Sequence, residues 1–90
     1  MLESLTEILA ILATIFGVVM ATANLPQTFK IVRRKSCADV SITTYLMLLP
    51  GVLIWLLYGV SLNNMPLIAS NFIGAIATLS VIVVYYIYKK

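Results

Sequence analysis

Trp55 and Asn71 are the side chains in this sequence best suited to holding a small molecule. Neither belongs to a catalytic set. There is no His, Cys37 is the lone cysteine, and no Asp, Glu, Lys or Arg falls between Ile8 and Phe29 or between Val40 and Tyr88. Without a general acid, a general base or a ligand cluster, neither an enzyme nor a metal site can be assembled, and no cofactor is expected. An indole face beside a carboxamide suits a sugar ring, whose C–H faces stack and whose hydroxyls exchange hydrogen bonds. Packing explanations compete: a Trp can anchor at a lipid interface, and a buried Asn can bond to a neighbouring helix. Asn24, Gly51 and Gly74 are further residues that could line a pathway.

Pro26 and Pro50 are the mechanical signal. Each removes a backbone donor, and each is expected to bend its helix. Pro26 should free the carbonyl of Thr22, and Gln27 can offer donors and acceptors to freed carbonyls. The pair Pro26-Gln27 is therefore a candidate hinge.

The elements that carry these residues follow from the charge pattern. Hydrophobic residues make up 62% of the 90-residue chain and charged residues 10%, against roughly 45–50% and about 25% in soluble domains. A soluble core of this length could not hide that much apolar surface, so lipid must be the solvent. The stretch from Val40 to Tyr88 is too long for one crossing, and Asn63-Asn64 with Pro66 divides it. Three spans result, about 5–32, 42–62 and 66–88, in one domain. Asp39 or Ser41 can cap the second. Tyr85, Tyr86 and Tyr88 read as an aromatic belt, and Cys37 as a reduced loop thiol, with S-palmitoylation the sharper alternative. On an ideal rise per residue, Trp55 and Asn71 lie ~5 Å and ~9 Å to the outer side of the middle of their spans.

Lys30, Arg33, Arg34 and Lys35 follow the first span, Lys89-Lys90 closes the third, and Glu3 and Glu7 precede the first. This satisfies the positive-inside rule with the N-terminus outside and the C-terminus in the cytoplasm. The net charge of +3 is fully used by orientation and implies no nucleic acid. Met-Leu-Glu-Ser at the start lacks the basic region of a signal peptide. Residues spaced by three and four share a face (Thr14, Gly17, Ala21 and Asn24; Gly51, Trp55 and Gly59; Ser70, Gly74 and Thr78), and the small ones among them let helices approach closely.

Asn24-Leu25-Pro26-Gln27, Asp39-Val40-Ser41, Tyr45, Gly51, Trp55-Leu56-Leu57-Tyr58-Gly59, Pro66 and Ala69-Ser70-Asn71 together resemble the bacterial SemiSWEET sugar transporters of the PQ-loop group. The resemblance implies an all-α membrane protein, a three-helix bundle that pairs as a parallel homodimer of six helices around a central pathway. It implies that Trp55 and Asn71 line the sugar pocket, that Pro26 and Gln27 form the hinge, and that Tyr58 lies near an outer gate. The expected location is the bacterial inner membrane, and the expected partners are a small sugar, a second copy and the lipid bilayer. Two departures stand out: Asn24 occupies a position often aromatic in relatives, and Leu62, Asn63 and Asn64 replace charges that some relatives carry beyond the Trp-x-x-Tyr-Gly segment. With no Asp, Glu, Lys, Arg or His in the runs Ile8 to Phe29 and Val40 to Tyr88 to relay protons, the transport expected is uniport of a mono- or disaccharide by alternating access. Alternatives are a holin-like pore, an accessory membrane subunit, or a PQ-loop carrier of another small solute.

Overall fold

The computed structural model describes residues 2–89 and is helical throughout its regular structure. Helix α1 runs Leu2–Ala21, a 3-10 turn follows at Thr22–Asn24, and α2 continues over Leu25–Arg34. Helix α3 covers Ile42–Leu62 and α4 Met65–Tyr88. The stretch from Glu3 to Arg34, α3 and α4 are each long and apolar enough to cross a membrane, so the chain is a multi-pass membrane protein.

Helix α4 is the centre of the molecule. It packs against α1, α2 and α3, whereas the backbone of α3 comes within 8 Å of neither α1 nor α2 among the described residues. The reason is visible in which residues are covered. Gly74, Ala77, Thr78, Val81 and Ile82 form a buried stripe on α4, while α3 buries only Gly59 and α2 only Ile31. A stripe that recurs every three to four residues is one helix face, and small residues let neighbours come close to it. The result is a slab with extents of 56 × 22 × 14 Å.

Two glycines set the close approaches. A Cβ on Gly59 would lie 2.7 Å from Leu67 Cβ and 3.2 Å from the Ile68 backbone nitrogen. One on Gly17 would lie 2.8 Å from Ser70 Cβ. Gly59 fixes α3 against α4 beside their connection, and Gly17 fixes α1 against α4.

The connection itself is two residues long. Asn63 takes the left-handed conformation at φ 54°, and the Asn64 N–H donates to the Gly59 carbonyl at 2.9 Å, which closes α3. Asn64 then caps α4: its Oδ1 accepts from the Leu67 N–H at 3.2 Å, with Pro66 in the first turn. At the opposite end Ser41 is the N-cap residue of α3, but its side chain makes no capping bond to the backbone. Its hydroxyl accepts instead from Thr44 Oγ1 at 3.0 Å, and Asp39 pairs with Arg34 at 3.3 Å. The expected side-chain cap is therefore not formed by either residue.

At the basic end Ile31, Cys37 and Val81 form a small core, with Val40, Tyr45, Val84, Tyr85 and Tyr88 packed around it. Cys37 is buried, and its thiol donates to the Tyr85 carbonyl at 3.7 Å. Of the three terminal tyrosines only Tyr86 is largely exposed, with the Lys89 ammonium 4.7 Å from its ring centroid. The tyrosines thus divide between packing and interface.

Candidate functional site

The face that α4 shares with both neighbours holds an open groove of about 300 Å³. Gly17, Met20, Ala21 and Asn24 form one wall, Leu48 and Val52 of α3 the other, and Ser70, Asn71, Gly74 and Thr78 of α4 the floor. Each wall is a helical repeat of three or four residues, so the groove follows from the way three amphipathic spacings meet. Gly74 is where they converge. A Cβ there would sit 3.7 Å from Ala21 Cβ and 3.9 Å from Val52 Cγ1, so it would fit without clash and would fill the floor.

The polar groups of the groove are uncharged amides and hydroxyls. Asn71 donates from Nδ2 to the Leu67 carbonyl at 2.9 Å. A carboxamide has two N–H groups and an acceptor oxygen, so one N–H and Oδ1 remain for another partner. Ser70 spends its proton on the Pro66 carbonyl at 2.7 Å. Asn24 ends the 3-10 turn, and its side chain makes no hydrogen bond among the described residues. No ionisable residue lines the groove. Two amides, two hydroxyls and apolar walls can bind a neutral, hydroxyl-rich solute; nothing in that lining can balance a charge.

Asn24, Asn71 and Gly74 are thus brought together. Trp55 is not in this groove within one protomer. It lies on the same side of α3 about one turn beyond Val52, is 53% exposed, and forms an apolar hollow with Ile54 and Tyr58. Its ring meets Tyr58 edge-on, with centroids 5.7 Å apart and planes at 78°. Gly51, on the same edge, has open space where a side chain would stand. Trp55, Tyr58 and Gly51 therefore lie along a face of α3 that nothing in the protomer covers.

Pro26 sits in the first turn of α2, directly after the 3-10 turn. The expectation that the Thr22 carbonyl would be left free is corrected here. It accepts the Leu25 N–H in the tighter 3-10 pattern, which absorbs the missing proline donor one residue early. Gln27 is half-buried, and its side chain makes no hydrogen bond among the described residues. Pro50 lies inside α3, whose helix is continuous through it. Just below Pro26, Thr28 is 2.7 Å from Ser80, whose hydroxyl donates to the Ala77 carbonyl at 2.7 Å. With the Ser80 proton used there, Thr28 is the donor to Ser80. This chain ties α2 to α4. Sequence reasoning passed over it, because Thr and Ser 52 residues apart give no signal until the helix order in space is known. Met20, Leu48 and Val52 were passed over for a similar reason, since their types do not distinguish a groove wall from a lipid-facing surface.

Residues 7–90 match the family described as sugar efflux transporters for intercellular exchange. The chain is 32% identical over 65 residues to the sugar transporter SemiSWEET of Leptospira biflexa, spanning 72% of each chain. It is 39% identical over 49 residues to the sugar transporter SemiSWEET of Bradyrhizobium diazoefficiens, spanning 54% of this chain and little more than half, 57%, of that protein. The fold superposes on the crystal structure of a bacterial homologue of SWEET transporters with a TM-score of 0.83 at 30% identity, covering 90% of this chain and 98% of the other.

Proposed function

Because the chain belongs to the SemiSWEET-type family of sugar transporters, we propose that it carries a mono- or disaccharide down its gradient, as a uniporter, by alternating access within a parallel homodimer. One observation carries the reading: an uncharged, amide-bearing groove lies open on one side of a three-helix protomer. A groove of about 300 Å³ is at the lower limit of ligand pockets, which run ~300–1,000 Å³. A slab cannot enclose a hydrated path by itself. A second copy facing the groove would close it and would bring two Asn71 amides, and the uncovered faces of two α3 helices with Trp55, around one sugar.

In this reading the sugar stacks on Trp55 and exchanges hydrogen bonds with Asn71 and Asn24. Gly51 and Gly74 keep the path clear, Tyr58 narrows its outer end, and the turn before Pro26-Gln27 flexes to open the inner end. The protein would lie in a bacterial cytoplasmic membrane with its basic end inward, as its lysines and arginines favour. Uniport is supported by the groove's lack of any group that could bind a proton at neutral pH. The test is uptake of a panel of labelled sugars into proteoliposomes, with and without an imposed proton or sodium gradient. The expected result is equilibration that ignores either gradient. Accumulation against the sugar gradient that collapses with a protonophore would overturn uniport.

A further inference from the structure

A second cavity, about 400 Å³, lies at the basic end, far along the slab from the sugar groove. Lys35, Ser36, Cys37 and Ala38 from the α2–α3 connection line one side, with Tyr85, Tyr88 and Lys89 from the end of α4 opposite. We propose that it is a phosphate site filled by the headgroup of an anionic membrane phospholipid.

Charge gives the first reason. Among the described residues Lys30, Arg33, Arg34, Lys35 and Lys89 gather at this end against the one carboxylate side chain Asp39, and Asp39 pairs with Arg34. Both cavity lysines are without a carboxylate partner among the described residues. Orientation in the bilayer explains a basic end, but it does not require two lysines to face one hollow. The second reason is backbone conformation. Lys35 ends α2 in the left-handed region at φ 53°, its N–H donating to the Ile31 carbonyl. A glycine would close the helix there without the steric cost that a side chain carries. The lysine accepts that cost at the cavity's edge.

Position gives the third. The cavity lies where α4 ends, next to Tyr86, which is half-exposed beneath the Lys89 ammonium. Tyrosines of this kind mark headgroup level, and basic pockets between helices at that level suit phospholipid phosphates. The phenols of Tyr85 and Tyr88 and the Ser36 hydroxyl can donate to phosphate oxygens, while the rings lie against the glycerol. The floor is firm, because Cys37 is buried and bonded to the Tyr85 carbonyl.

The test uses the full chain in neutral detergent and counts retained lipid by native mass spectrometry. Equal amounts of phosphatidylglycerol and phosphatidylcholine are offered, with inorganic phosphate and glycerol phosphate as soluble arms. Wild type should keep one phosphatidylglycerol per protomer in preference to phosphatidylcholine. Lys35→Gly/Lys89→Ala should lose that lipid by about tenfold or more. Glycine fits the left-handed position, and Lys35→Asn/Lys89→Gln serves as a second variant that keeps the helix end. Lys30→Ala/Arg33→Ala removes the same charge outside the cavity and should retain the lipid. Equal loss in the cavity and control variants would reduce the effect to diffuse charge and overturn the site. Binding of inorganic phosphate with no preference between the two lipids would overturn the lipid as its source.

Discussion

Gly59 and Gly74 are both small residues on packed helices, yet their surroundings set opposite expectations. At Gly59 a methyl group would press on Leu67 Cβ at 2.7 Å, so Gly59→Ala should force α3 and α4 apart and cost ~1–3 kcal/mol. At Gly74 the nearest atoms are 3.7 and 3.9 Å away, so Gly74→Ala should fold normally and narrow the groove. Thermal melts paired with uptake should separate the two: Tm falls in the first, and transport falls at unchanged Tm in the second. If Gly74→Ala transports like wild type, the groove is not the path. Trp55→Ala and Asn71→Ala should each cut uptake by tenfold or more at unchanged membrane insertion. Each removed hydrogen bond or stacking face is worth ~1–3 kcal/mol and is lost twice if two copies share one sugar. Full activity in both variants would move the sugar elsewhere. Asn24 and Asn71 stood out in the sequence because an amide inside a charge-free run is costly and therefore conspicuous. Thr78, 1% exposed at the groove floor, was marked only as a small residue of its face, because a sequence does not distinguish a hydroxyl on a groove floor from one in a packing seam.

Among the elements, the one that differs most in detail from its sequence reading is the first span. Its charge-free length announced a crossing, and Pro26 announced an irregularity. What the residues alone did not disclose is that the helix tightens to 3-10 at Thr22–Asn24 before the proline arrives. The irregular turn joins two unlike segments. Helix α1 above it buries none of its described residues fully, whereas α2 below it is held to α4 by Thr28, Ser80 and the Ile31 cluster. A hinge at this turn would therefore move α1 and α2 relative to each other with little disturbance of either. Pro26→Ala restores a backbone donor and should let a regular helix run through. Stability should hold or rise, exchange should slow, and sugar affinity in detergent should persist. Binding lost at unchanged exchange rates would make Pro26 a pocket-shaping residue and not a pivot. Helix order in space was beyond sequence reading altogether, since the apolar faces of α1, α3 and α4 look alike until the buried stripe of α4 shows which of them is shared.

For the whole molecule, the flat shape carries the expectation of pairing. Single cysteines placed on the exposed edge of α3, in a Cys37→Ala background, should crosslink identical positions of two copies, as a two-fold axis along the membrane normal requires. A purified monomer that transports sugar would sink the homodimer. The central place of α4 also has a consequence for how the protein is made. The ribosome delivers α1, α2 and α3 first, and among the described residues the backbone of α3 comes within 8 Å of neither of the others. Until residues 65–88 emerge, the nascent chain in the bilayer has two hairpin-linked spans with no shared seam. Tertiary structure is thus withheld until α4 is translated, and that helix acts as the wedge on which the earlier two close. A chain released after Leu62 should insert and yet be cleared rapidly by membrane proteases, with α4 supplied as a separate polypeptide restoring its lifetime.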